Sequence, residues 1–136
     1  MNIYKRKALE FYKEFKISQL TVDSITCAIQ KCGYKIIEYV PFSTDNKAYA
    51  LLSELGIIHI ANTEKSFVYA DNLYRILFIA KGLSEKEKLM LLSHEAGHIY
   101  LNHMSRKNLI SGEDIAIENE AREFSHYLLK NNLNNF

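Results

Sequence analysis

The stretch that decides this fold reads Ser-His-Glu-Ala-Gly-His-Ile-Tyr-Leu-Asn-His, from Ser93 to His103. We expect it to lie within a helix, because Ser84 and Glu87 form an S-x-x-E capping box upstream, in which each side chain satisfies a backbone donor of the first turn. The helix should run from about residue 85 to about residue 104. Its apolar face has 3-4-3 spacing and is predicted to face the core: Leu89, Leu92, Ala96 and Ile99.

The two histidines at the centre of this stretch have the spacing of a metal-binding pair. His94 and His98 are four residues apart, so their imidazoles lie on one helix face and can bind one Zn²⁺. Glu95 lies about 100° round the helix, where it cannot join this pair but can reach a metal-bound water as its general base. Gly97 costs about 1 kcal/mol of helix stability relative to alanine, which indicates that another backbone approaches closely there. The alternative is two exposed histidines on an ordinary amphipathic helix.

A catalytic zinc also needs a third protein ligand and an open position for water. Leu101 and Met104 stand where a metzincin would have glycine and histidine, so that class is excluded. The other source is a carboxylate from the last predicted helix, which offers Glu118, Glu120 and Glu123. Periodicity favours Glu120, which borders the apolar stripe of that helix, whereas the alternative is a solvated acidic face. The stripe consists of Ile117, Ala121, Phe124 and Leu128.

Outside the motif, the pattern predicts helices, then mainly strands, then helices, which is typical of an α+β domain. Runs of β-branched and aromatic residues predict a small, mostly antiparallel sheet with strands at residues 34–40, 57–61, 66–70 and 73–80. Asp71 and Asn72 suit a tight hairpin between the last two strands. Helices are predicted at residues 3–15, 19–32, 47–54, 85–104 and about 113–130. The helix that carries His94 should pack between the sheet and the last helix, within one domain of residues 1–136.

The composition is typical of a soluble globular protein, with 48% hydrophobic and 24% charged residues. Seventeen basic and sixteen acidic residues give a net charge of +1, which offers no broad electrostatic surface for nucleic acid or membrane. The sequence has no signal-peptide pattern and no membrane-span pattern, and Cys27 and Cys32 match neither a redox motif nor a zinc motif. We therefore expect a cytoplasmic protein with reduced thiols and no direct contact with nucleic acid or membrane. The sequence does not indicate an oligomeric state.

Two motifs of this chain resemble the ImmA/IrrE family of metallo-endopeptidases. The first is H-E-A-G-H, followed by Leu101 and His103, and the second is E-N-E-A-R-E-F-S-H-Y-L-L, from Glu118 to Leu129. The stretch at residues 79–88 resembles the strand, turn and helix start of that family. Arg122 departs from the pattern, since many members have asparagine or aspartate after Glu-Ala.

The resemblance implies a gluzincin-like site with one Zn²⁺. Its ligands would be His94, His98, Glu120 and a water, with Glu95 as the catalytic residue. The implied activity is cleavage of a specific intracellular protein, a helix-turn-helix transcriptional repressor often encoded nearby on a mobile element or in a stress operon. The alternative is a zinc-stabilised interaction module that sequesters such a regulatory partner without cleaving it.

Two supporting roles remain to be assigned around the motif. His103 lies about 140° further round the helix than His98, so we expect it to orient a metal ligand or to be structural, not to bind the same ion. A group that stabilises the developing oxyanion is also expected. The candidates for that group are Tyr100, Tyr69, Tyr74 and His103.

Overall fold

The chain folds as helices packed on both faces of a small sheet, in a computed structural model that describes residues 2–105, 110–112 and 114–133. The elements of the described residues, in chain order, are α1 (Ile3–Glu14), α2 (Val22–Lys31), β1 (Lys35–Tyr39), α3 (Tyr49–Glu54), α4 (Ile58–Thr63), β2 (Ser66–Ala70), β3 (Arg75–Ala80), α5 (Glu85–Tyr100), a 3-10 turn (His103–Ser105) and α6 (Ile115–Leu133). This order confirms the predicted α+β class.

The sheet has three strands among the described residues, in the order β1-β3-β2. The β2–β3 hairpin is antiparallel, as predicted, and the Asp71 carboxylate stabilises its turn by accepting hydrogen bonds from the Leu73 and Tyr74 N–H groups at 2.7 and 2.6 Å. β1 pairs with β3 in parallel, because the chain crosses over through α3, α4 and β2 before it returns. The sheet is therefore mixed, and the prediction that it is mostly antiparallel is wrong.

The central strand separates two hydrophobic cores. Leu77 and Ile79 face one core, which includes residues of α1, α2, α5 and α6, while Ile76 and Phe78 face the other, which includes residues of α3 and α4. A strand covered on both faces reads as a continuous apolar run, and residues 76–80 form such a run.

The predicted strand at residues 57–61 is wrong, because Ile57 is the N-cap of α4 and the residues after it lie within that helix. Ile57 and Ala61 are its buried residues, and their separation of four is a helical period. Both pack with Leu52 of α3 in the second core. Three isoleucines in this segment suggested a strand, but packing against α3 outweighs that weak propensity.

The helix that carries the H-E-x-x-H motif lies where the sequence placed it. α5 packs against β2 on one side and α6 on the other, and it also contacts α2. Its start is confirmed, because the Ser84 hydroxyl accepts a hydrogen bond from the Glu87 N–H at 3.1 Å. It ends at Tyr100, earlier than predicted, because Asn102 adopts a left-handed conformation with a φ of 62°.

The first and last helices are in contact. The Tyr12 hydroxyl of α1 donates a hydrogen bond to the Leu128 carbonyl of α6 at 2.8 Å, and the Phe11 ring meets the Phe124 ring edge-on at 5.7 Å. α1 thus packs against α6, while Phe11 also contacts Tyr100 of α5. Within the described residues, no helix has the length and apolar character needed to cross a membrane.

Candidate metal centre

His94 and His98 lie one turn apart on α5, with ring centroids 5.0 Å apart. The His98 side chain is fully buried, whereas that of His94 is 22% exposed and faces a cleft. Helical spacing of four thus brings the two imidazoles together, as the sequence predicted.

Glu118 of α6 completes this group. Its Oε1 lies 3.3 Å from His94 Nε2, and its Oε2 contacts His98 Nε2. His94, His98 and Glu118 each offer one ligand atom, and these three atoms lie within 4.8 Å of one another. Glu120, the predicted third ligand, lies elsewhere: its Oε1 is 3.0 Å from His103 Nε2. The structure therefore places Glu118, and not Glu120, beside the histidine pair.

Helix geometry explains this exchange of one glutamate for the other. Glu118 and Glu120 flank the apolar stripe of α6 on opposite sides, and Glu120 lies somewhat nearer to it. The stripe lies on α5, where Ala121 and Phe124 contact Gly97. Only the flank on the Glu118 side faces His94 and His98, which is a property of the packed helix pair and not of α6 alone.

The donor atoms fit a metal ion. His98 Nε2 and Glu118 Oε2 are both buried, and neither has a hydrogen-bond partner within the described residues although the two atoms are in contact. Buried polar atoms are normally satisfied, so an unsatisfied pair indicates a missing partner. Two imidazole nitrogens and one carboxylate oxygen suit Zn²⁺ and leave a tetrahedral ion with one open position.

The electrostatic surroundings keep Glu118 ionised, as a metal ligand must be. Burial alone would raise the pKa of its carboxyl group, but the hydrogen bond from His94 and the two adjacent imidazoles hold that pKa well below the ordinary value.

Glu95 lies beside the three donor residues, with only 4% of its surface exposed. Its Oε2 accepts a hydrogen bond from the Ser66 hydroxyl at 2.7 Å, and its Oε1 accepts one from the Ser111 hydroxyl at 3.1 Å. Burial raises the pKa of Glu95, while the positive charges of His98 and His94 oppose the rise. A carboxylate with a raised pKa that is held by two donors suits a general base.

Sequence reasoning missed both serines. Ser111 does not cap α6, because Asp114 caps that helix by accepting hydrogen bonds from the Ala116 and Ile117 N–H groups at 2.9 and 3.2 Å. Residue 113, where the helix was predicted to begin, lies outside the described residues. Ser111 instead holds Glu95 and accepts from the Val68 N–H of β2 at 2.8 Å. No spacing in the sequence links either serine to Glu95.

An open cleft of about 480 Å³ gives access to the site. His94, Glu95 and Glu118 line it together with residues from the start of β2 and from α6. Lys65 and Arg122 supply positive charge to its wall. A cleft of this size admits a short stretch of a peptide chain.

The tyrosines predicted as candidate oxyanion-stabilising groups lie away from this cleft. Tyr100 packs against α1, with its ring centroid 5.1 Å from that of Phe11. The Tyr69 hydroxyl donates to the Asp71 carboxylate at 2.6 Å, and Tyr74 packs against the second core. The fourth candidate, His103, is fully buried behind His98, with their Nδ1 atoms 3.0 Å apart. Its predicted orienting role stays a prediction.

Gly97 is needed where α5 and α6 cross. A Cβ at this position would lie 3.1 Å from both the Cα and the carbonyl oxygen of Ala121, and 3.2 Å from a ring carbon of Phe124. The close backbone approach predicted from the sequence is therefore confirmed.

Replacing Gly97 with alanine should weaken both the fold and the metal centre. Alanine normally adds about 1 kcal/mol to helix stability at such a position. Here it must push the α6 backbone outward and so move Glu118 away from the histidines. We expect a lower melting temperature and weaker zinc affinity, measured by thermal unfolding and zinc titration. Ser93→Ala is the matched control on α5, because the buried Ser93 hydroxyl has no hydrogen-bond partner within the described residues. Higher stability and unchanged zinc affinity in the Gly97→Ala variant would contradict the prediction.

Comparison with known protein families identifies the family of this chain. The family model for peptidase family M78, described as the IrrE N-terminal-like domain, matches residues 53–131. This range is more than half of the chain and includes all three donor residues, Glu95, Ser66 and Ser111. No curated protein and no solved structure matches the chain significantly.

Proposed function

The chain belongs to the family of IrrE N-terminal-like peptidases, and from this premise we propose that it is a zinc-dependent endopeptidase. The observation that carries the proposal is the position of Glu95, a buried carboxylate in an open cleft beside His94, His98 and Glu118. Three donors leave a metal ion one free position, whereas a purely structural zinc is normally closed by a fourth protein ligand.

The proposed mechanism assigns one task to each of these side chains. His94, His98 and Glu118 would hold the zinc, which supplies Lewis-acid polarisation of the scissile carbonyl and activates water. Glu95 would take a proton from the attacking water and pass it to the departing amine. Ser66 and Ser111 donate to separate oxygens of Glu95 and so fix the direction of its carboxylate.

The proposed substrate is a specific cytoplasmic protein, namely a helix-turn-helix transcriptional repressor. This part of the proposal follows from the ImmA/IrrE resemblance. The exposed cleft supports a macromolecular substrate in general, since one segment of a protein chain could enter it from solvent.

Metal removal tests the proposed activity. We expect the purified, zinc-loaded chain to cleave a repressor encoded beside its gene into two fragments whose masses, less one water, sum to the intact mass. Dialysis against 1,10-phenanthroline should abolish cleavage, and added Zn²⁺ should restore it, because metal binding is reversible. Intact-mass spectrometry reads both results. A Glu95→Gln preparation, purified identically, controls for contaminating proteases. If the zinc-loaded chain cleaves no candidate repressor, the proposed substrate is wrong.

A further inference from the structure

A chain of three side chains runs outward from the metal centre. His98 Nδ1 lies 3.0 Å from His103 Nδ1, and His103 Nε2 lies 3.0 Å from Glu120 Oε1. Both histidine side chains are fully buried, while that of Glu120 is 32% exposed. The inner end of the chain is His98 Nε2, the buried atom that faces Glu118.

The backbone builds this arrangement by breaking the helix. A continuous helix would carry residue 103 about 140° round from His98. Instead, α5 ends at Tyr100, and Asn102 takes a left-handed conformation, which asparagine tolerates better than most residues. The 3-10 turn that follows brings the His103 ring to 5.1 Å from the His98 ring.

The chemistry of the three groups allows one arrangement of protons when both imidazoles are neutral. An ionised Glu120 only accepts hydrogen bonds, so His103 must carry its proton on Nε2. His103 Nδ1 is then an acceptor, so His98 must carry its proton on Nδ1. His98 Nε2 is left with a free lone pair, which is the form that binds a metal ion.

We propose that Glu120 and His103 are positioning residues for the metal centre: they fix the tautomer and ring orientation of His98 through two successive hydrogen bonds. This inference rests on the proposed zinc site and assigns a different function to the glutamate that sequence reasoning made a ligand. Groups that bond to a metal-binding histidine typically alter metal affinity by roughly 10–100-fold.

The test is zinc affinity of the full chain after Glu120→Gln, measured by competition with a chromophoric chelator. The glutamine amide can donate a hydrogen bond to His103 Nε2 and so permits the opposite tautomer of each histidine. His98 would then carry its proton on Nε2, the atom that is proposed to bind the metal. We expect zinc affinity to fall by roughly 10–100-fold. The visible spectrum of the Co²⁺-substituted protein should also change, because it reports ligand geometry directly.

Glu123→Gln is the matched control. Glu123 lies on the same helix, is exposed, and like Glu120 exerts a charge effect on Tyr4, so it matches the change in local charge. This variant should keep wild-type zinc affinity and the wild-type cobalt spectrum. His103→Phe should weaken zinc binding as Glu120→Gln does, and the double variant should be no weaker than His103→Phe alone, because both act through one path.

Three results would overturn the inference. Equal zinc affinity and equal cobalt spectra for Glu120→Gln and Glu123→Gln would show that Glu120 does not position His98. Complete loss of zinc from Glu120→Gln, with zinc retained by Glu118→Gln, would make Glu120 a ligand. Failure of the wild-type chain to bind zinc at all would remove the proposed function and this inference together, which distinguishes it from the first two results.

Discussion

Replacing Glu95 with glutamine should reduce peptide hydrolysis by roughly 10²–10⁴-fold while zinc content stays at the wild-type level. Glutamine keeps the side-chain shape: its carbonyl oxygen can accept a hydrogen bond from one of Ser66 and Ser111, and its amide group can donate to the hydroxyl oxygen of the other. It cannot take a proton from water at neutral pH. The variant should fold at least as stably as wild type, because burial already disfavours the charge of Glu95. Initial rates of fragment formation, followed by mass spectrometry, measure the effect.

The same variant separates cleavage from sequestration. A peptidase with Glu95→Gln should still bind its partner but yield no fragments in cells, whereas a sequestering module should act like wild type and yield none with either form. Glu85→Gln, exposed in the first turn of α5, is the control for a charge change on the same helix. Undiminished cleavage by Glu95→Gln, with contaminating proteases excluded, would show that another group is the base.

Removing the Glu118 carboxylate should produce the largest loss of metal. We expect Glu118→Ala and His98→Ala to contain almost no zinc when purified without chelator, because each removes one of three proposed ligands. The loss should exceed the roughly 10–100-fold weakening expected from removal of a hydrogen-bond partner of a ligand. Elemental analysis of the purified proteins gives the zinc content per chain.

Glu123→Ala controls for the loss of one acidic side chain from α6 and should retain zinc. The variant Glu118→Ala leaves His98 Nε2 in place, so a shift in melting temperature after zinc addition reports any residual binding. Equal zinc content in wild type, Glu118→Ala and His98→Ala would exclude the site altogether. Full zinc content in Glu118→Ala alone would instead exclude Glu118 as a ligand.

The sequence predicted the parts of the site that depend on one helix. His94, Glu95 and His98 fall on α5, and their relative directions follow from its period. Gly97 was also informative, because a glycine inside a helix weakens it unless another backbone comes close, and here Ala121 does. Predictions of this kind succeed because the relative positions of residues on one helix do not depend on how that helix packs.

The features that the sequence did not predict depend on how helices and strands pack against one another. Glu118 and Glu120 both flank the α6 stripe, and the direction in which α6 packs on α5 decides which of them meets the histidines. Ser66 and Ser111 reach Glu95 from β2 and from the segment before α6, at separations of 29 and 16 residues. The segment that became α4 was misread because a short apolar run fits either a buried strand or a buried helix.

The contact between α1 and α6 has a consequence for the order of events on the ribosome. The Tyr12–Leu128 hydrogen bond joins residues 116 positions apart, and Phe11 packs on Phe124 over a similar separation. Synthesis makes α1 first, but its contacts with α6 cannot form until α6 has emerged. Glu118 is also on α6, so the three donor residues cannot assemble earlier. Binding of the proposed zinc ion would thereby be postponed until after translation of α6, and a nascent chain stalled before that point would lack one of its three proposed ligands.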